Sequence, residues 1–403
     1  MRARSSSNPA PPQRKVPASA GPHNADAGKN ATLAHVFALA HALEPAAALL
    51  AALAVLAASA SAQADGPQRT PARGSEGDRS EPWVVYPGGE GPGRGRHVVL
   101  VSGDEEYRSE EALPQLARIL AVRQGFRCTV LFSIDPKTGE IDPDRRDHIP
   151  GLQALDGADL LVLFTRFRRL PDDDMRRIVE YVESGRPIAG IRTATHAFGY
   201  EADSMSPFAH WSWDSKTWPG GFGGQILGET WVSHHGRHGA ESTRGVIPAA
   251  RREHPILRGV EDVWGPTDVY AIRELPPDAT VLLEGEVLGG MEPASVPVED
   301  GRNDPRMPVL WIRERPLGLE RVQRVVCSTL GAATDLESEG LRRALINACL
   351  WAVGLEDAIP ARTEVELVGE YDPTPFGFGR FRRGVRPSDH ELGVGGKEPG
   401  AQR

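Results

Sequence analysis

The residues able to do chemistry fall in four short stretches. The first is Asp104-Glu105-Glu106-Tyr107, where a carboxylate such as Glu106 can act as a general base. The same acids equally suit a helix start and its first turn. The second is Arg192-Thr193-Ala194-Thr195-His196. Arginine stays charged and cannot be a nucleophile. Arg192, with Thr193 beside it, is therefore expected to hold an anion, a carbonyl or a sugar hydroxyl, or else to form a structural salt bridge. His196 either moves a proton or is a satisfied structural histidine. The third stretch is His234-His235-Gly236-Arg237-His238. Three close histidines invite a zinc reading. Adjacent histidines on an extended strand point to opposite faces, however, and no His-Glu-x-x-His helix is present, so neither a metal nor another cofactor is assigned. His235 is chosen as the hydrogen-bonding or proton-transfer residue, because Gly236 permits a close backbone approach. The fourth stretch carries Phe208, Trp211, Trp213, Trp218, Phe222 and Trp231. Flat aromatic faces suit sugar rings, and they also suit the anchoring of a loop. Tyr107, Trp231 and Asp268 complete the expected substrate-binding set, and Tyr270, Thr334 and Asp335 also follow strands.

These stretches need elements to position them. His97–Ser102, Phe126–Ser133, Ala158–Thr165 and Pro187–Ile191 read as buried strands. Glu110–Gly125 and Asp172–Gly185 read as helices, the second started by Pro171 and three acids. Strands alternating with helices imply right-handed βαβ units and a parallel sheet. Ligands bind such sheets beyond the carboxyl ends of the strands, which is where the first two stretches lie. Further strands are expected at 244–249, 280–285, 307–314 and 323–331, with a last amphipathic helix over 336–355.

The chain has 403 residues, 40% hydrophobic and 25% charged, with a net charge of −9 and pI near 5.8. There is no basic footprint for nucleic acid. The three cysteines, Cys128, Cys327 and Cys349, read as buried apolar side chains, although one disulfide is possible. Residues 1–64 read as a leader. Its apolar run ends in Ala62-Gln63-Ala64, a small-x-small cleavage pattern, so it is a signal peptide or else an N-terminal anchor. Residues 65–81 read as a linker, 82–360 as one α/β domain, and 361–403 as an irregular tail that wraps the domain and frays at its end. The expected location is secreted or periplasmic. Oligomeric state is open.

The order of motifs resembles the ThuA-like, or trehalose-utilisation, family, in a branch common among secreted planctomycete-type proteins. The matching pieces are VSGDEEYRSEE, AGIRTATHAF, WVSHHGRHG, HPILRGV, PTDVY, MPVLWIRE and STLGAATDLESEGLRRALINACLWAVG, from about His97 to Leu355. The resemblance implies a flavodoxin-like, class I glutamine amidotransferase-like three-layer α/β sandwich with a mainly parallel sheet. It also implies a role in sugar catabolism, keto-sugars included. The amidotransferase pattern puts Cys on the strand-to-helix elbow, where this chain has Arg192. Many relatives carry His after a late Leu-Gly pair, where this chain has Leu330-Gly331-Ala332-Ala333. Glutaminase chemistry through a thiolate is therefore not expected.

The resulting expectation is an exported protein that acts on a small-molecule saccharide or keto-saccharide as a hydrolase or isomerase. The alternative is a non-catalytic carbohydrate-binding or scaffold protein, since function lives in sites rather than folds. No dinucleotide fingerprint is present.

Overall fold

A computed structural model describes residues 81–393. The leader and nearly all of the linker lie outside these residues, as do residues 394–403.

Alternating apolar residues build the core on two faces. In β2 (His97–Gly103), Val98 and Leu100 face one side and Val99 and Val101 the other. The first side is covered by α1 (Ser109–Gln124) and α3 (Glu339–Ala352), the second by α2 (Asp172–Glu183). Each helix has a readable start or stop. In α1, Glu110 and Glu111 favour the first turn, and Gly125 ends the helix at φ 82°, donating its N–H to the Leu120 carbonyl. Three aspartates open α2. Ser338 caps α3 by accepting from the Leu341 N–H.

The other strands are β1 (Trp83–Tyr86), β3 (Arg127–Leu131), β4 (Leu160–Thr165), β5 (Ile188–Ile191), β6 (Ser242–Val246), β7 (Val263–Gly265), β8 (Ala279–Leu288), β9 (Met307–Leu317) and β10 (Arg321–Ser328). All ten form one sheet in the order β1-β3-β2-β4-β5-β10-β9-β8-β6-β7. The stretch β3-β2-β4-β5-β10 is parallel throughout. Numbered among themselves these five strands run 2-1-3-4-5, the doubly wound order expected. The sheet as a whole is not mainly parallel. Five of its nine pairings are antiparallel: β1 on β3 at one edge, and the ladder β10-β9-β8-β6-β7 at the other. The three residues 318–320 join β9 to β10, too few for the long crossover a parallel pair needs. The sheet is therefore mixed α/β.

Two edge strands escape the sequence reading. β1 has four residues and β7 three, too short for an alternating pattern to show. All three cysteines are buried and free. Among the described residues no helix is long and apolar enough to cross a membrane.

The C-terminal segment lies along the domain. The Tyr371 hydroxyl donates to the Ala333 carbonyl at 2.7 Å, Thr374 N–H donates to Glu111 at 2.7 Å, and Gly377 N–H donates to the Glu106 carbonyl at 2.7 Å. Phe376 is thereby brought to the carboxyl edge of the parallel strands.

Candidate functional site

At the carboxyl end of β5 the chain turns sharply into a 3₁₀ segment, Arg192–His196. Arg192 has φ 48°, left-handed for a residue with a side chain. Such a conformation costs about 1–3 kcal/mol and persists only where its surroundings enforce it. This is the strained elbow on which α/β hydrolases seat a nucleophile, here occupied by a cation.

The structure gives Arg192 a different task from substrate clamping. Its side chain is fully buried. One guanidinium nitrogen donates to the carbonyls of Asp268 (2.9 Å) and Thr329, and the other to Asp268 Oδ1 at 3.2 Å. The guanidinium carbon lies 3.9 Å from the Tyr270 ring centroid and 4.4 Å from that of Tyr107. Arg192 is an internal bolt joining the ends of β5, β10 and the loop after β7. Thr193 is likewise turned inward, donating to Asp104 Oδ2 at 2.6 Å. Asp104 in turn accepts from the backbone N–H groups of Glu106 and Tyr107. The turn after β2 is thus tied to the turn after β5 through buried groups.

Asp268, fully buried, is the hub. His234 Nδ1 lies 2.7 Å from Oδ2, and His238 Nδ1 lies 3.0 Å from Oδ1. The hydrogen bonds from these histidines and the charge of Arg192 outweigh burial and hold the Asp268 carboxyl well below the usual range. Beyond His238, its Nε2 lies 3.4 Å from Glu106 Oε1. Glu106 also faces Arg166 Nε at 3.5 Å, yet burial raises its pKa. His238 is raised in turn, chiefly by its hydrogen bond to Asp268. Glu105, by contrast, is clasped by Arg146, Arg166 and Arg168 at 3.0, 2.6 and 2.5 Å and is committed to structure.

His196 sits one layer deeper, among Phe167, Trp231 and Tyr270 at ring-centroid distances of 5.0, 5.6 and 6.2 Å. Burial first, then the charges of Arg166 and Arg192, push its pKa well below the ordinary value, so the imidazole is neutral. Its Nδ1 lies 3.1 Å from Thr195 Oγ1.

Seven expected residues therefore converge: Glu106, Tyr107, Arg192, Thr193, His196, Trp231 and Asp268. His235 does not join them. Its Nε2 bonds to the Arg302 carbonyl at 2.8 Å, and its backbone N–H is held by Val269. The alternation that separates His234 from His235 is as expected, but it is His234 that points to Asp268. Gly236 does permit the close approach: a Cβ there would lie 3.2 Å from Asp268 Cβ.

The aromatic run divides. Trp211, Phe208 and Phe222 are buried in the core under α2, the loop-anchoring reading. Only Trp213 and Trp231, 5.9 Å apart, border the cluster. Phe376, stacked on Tyr107 at 5.6 Å and 5.4 Å from His238, gave no signal in the sequence, because nothing local shows where a Gly/Pro-rich tail will lie. His234 and His238 were visible as a spacing of four, but pairing them needs Asp268, thirty residues on.

A concavity of about 860 Å³ opens elsewhere, lined by His97, Arg127 and Thr129 at the amino ends of the parallel strands. Ligands of α/β sheets bind at the opposite edge, where the Asp268 cluster lies, so convergent chemistry rather than volume makes that cluster the candidate site.

A sequence profile described as "ThuA: Trehalose utilisation" matches residues 97–352. No curated protein matches the chain. Among solved structures, a ThuA-like protein from Bacteroides uniformis ATCC 8492 is 13% identical, with a TM-score of 0.41, covering 66% of this chain and 95% of that one. A ThuA-like protein from Parabacteroides merdae ATCC 43184 is 15% identical, with a TM-score of 0.41, covering 71% and 98%. The profile match spans more than half of the 403 residues, and on that ground the chain belongs to the ThuA family, which supports a carbohydrate-related role.

Proposed function

We propose that the protein is an exported enzyme that acts on a saccharide or keto-saccharide at the Asp268 cluster, without a thiolate nucleophile. The observation that carries this reading is the meeting of Glu106, His234 and His238 around one buried carboxylate at the carboxyl edge of the parallel strands, with His196 behind them against Tyr270. Glu106 and His238, 3.4 Å apart, are a carboxyl and an imidazole placed to take and return a proton in hydrolysis or isomerisation. His234 and His238, with side chains 35% and 33% exposed, give the cluster an open face. Trp213, Trp231 and Phe376 border it with apolar surfaces of the kind that stack on sugar rings. Buried cysteines leave no thiol at the site. Export rests on the leader read in the sequence.

A non-catalytic carbohydrate-binding role is the second reading. It is favoured by the enclosure of Arg192 and Thr193, whose polar groups are used internally. Incubating the protein with disaccharides and their 3-keto forms separates the two. Product formation lost in His196→Gln and His234→Ala supports the enzyme, whereas saturable binding without product in the unaltered protein supports the binding module.

A further inference from the structure

We propose that His234, His238 and Asp268 hold one divalent transition-metal ion of the zinc class. The three groups offer donor atoms that lie within 4.8 Å of one another. They come from two separate loops, so the convergence is a product of the fold rather than of local sequence. Neutral imidazole nitrogen and carboxylate oxygen are the donors that zinc takes in three-ligand catalytic sites.

The spacing is close to what an ion needs. Zinc bonds of about 2.1 Å set neighbouring donors of a tetrahedral shell roughly 3.3 Å apart. His234 Nδ1 lies 2.7 Å from Asp268 Oδ2 and His238 Nδ1 3.0 Å from Oδ1, while the donor set as a whole spans no more than 4.8 Å, so the shell forms by small rotations of the two partly exposed histidine side chains. Rings that share one ion stand roughly 5 Å apart by the same bond lengths, and those of His234 and His238 are 4.8 Å apart.

The carboxylate is preorganised and the histidines are free to adjust. Asp268 is fully buried, with Arg192 on its backbone carbonyl and on Oδ1. That leaves Oδ2, whose partner among the described residues is His234. The backbone of the histidine loop is pinned by His235 and Gly236, whose N–H groups both donate to the Val269 carbonyl, at 2.8 and 3.0 Å. The two histidine side chains are each about one-third exposed. Three protein donors with an open side match a catalytic rather than a structural ion, with the remaining position left to water or to a substrate oxygen. Glu106, 3.4 Å from His238 Nε2, lies on the side of that ring away from the Nδ1 donor, where a carboxylate accepts the second ring N–H and orients a metal-binding imidazole. Only the identity of a sugar in that position rests on the carbohydrate reading; the ion site does not.

The test uses the full chain, stripped with a chelator and titrated with Zn²⁺ by calorimetry and with Co²⁺ by visible absorption. One ion per chain is expected. His234→Ala and His238→Ala should each weaken binding by roughly 100-fold or more, beyond the about 10–100-fold that loss of an outer-shell partner costs. His235→Ala, with its side chain on the Arg302 carbonyl, should bind as the unaltered chain does. The proposal is overturned if the unaltered chain shows no saturable ion binding, if His234→Ala and His238→Ala bind unchanged, or if His235→Ala is weakened equally. One ion per chain without any saccharide binding keeps the metal site and removes the carbohydrate reading. Saccharide turnover by a chain that shows no saturable ion binding keeps the carbohydrate reading and removes the metal site.

Discussion

Arg192 holds Asp268 at two points, its backbone carbonyl at 2.9 Å and its carboxylate Oδ1 at 3.2 Å, with both side chains wholly buried. The hub of the site is thus fixed by a cation that no ligand can reach. Removing one partner of a buried ion pair leaves the other charge uncompensated, at a cost of about 3–5 kcal/mol. Arg192→Ala should therefore lower thermal stability sharply, and any loss of activity will follow from misplacement of Asp268. Asp268→Asn is the sharper variant. It keeps the shape and the backbone carbonyl that Arg192 bonds, and it should fold with a smaller stability loss while losing turnover. Thermal melts beside activity assays check this; a stable Arg192→Ala with ligand affinity selectively lost would restore Arg192 as a substrate contact.

His196 predicts a pH dependence. Its folded pKa lies well below the ordinary 6.5 because burial and two arginines disfavour its charge. Above pH 6.5 neither the folded nor the unfolded chain binds this proton, so the full stability is present. As the pH falls below 6.5 the unfolded chain takes it up first, and stability falls by up to about 1.4 kcal/mol per pH unit until the folded pKa is reached. His196→Gln removes this one titration. Melts of both proteins between pH 4 and 8 should show a shallower acid limb for the variant; parallel limbs would mean that His196 is solvated.

Phe376 links the C-terminal segment to the site through its stack on Tyr107. Phe376→Ala should cost roughly 1–2 kcal/mol from lost aromatic contact and burial, and should raise protease sensitivity between Tyr371 and Val385. Limited proteolysis with intact-mass readout checks it. An unchanged cleavage pattern would mean that the hydrogen bonds of Thr374 and Gly377 hold the segment without the ring.

Much of this architecture is legible in the chain because burial writes itself into period. The runs at His97, Ala158 and Pro187 are apolar on both faces, as central parallel strands must be, and they place the turns at Glu106 and Arg192 on one edge. What escapes is non-local. β7 is three residues long and declares itself only by pairing with β6. In the antiparallel half only the β9–β10 hairpin, joined by three residues, is set by its turn; β6, β7 and β8 are joined by longer loops whose pairing the strand composition does not show. At the site, residue types locate the turns without saying which way a side chain points. Arg192 and His235 are both plausible ligand contacts by type. One is enclosed between two tyrosines and the other faces Arg302. His238 is four residues beyond His234, but only the loop after β7 makes them a pair.

The central claim is that the Asp268 cluster is the working site of the protein. Its most direct test compares saccharide and 3-keto-saccharide turnover in His234→Ala and His235→Ala, two substitutions in adjacent, partly exposed residues with different partners. The account predicts a fall in kcat/KM of roughly 100-fold or more for His234→Ala, the size typical of losing a proton-transfer or ligand group, and near-normal values for His235→Ala. Full turnover in His234→Ala, or an equal loss in both, would contradict it.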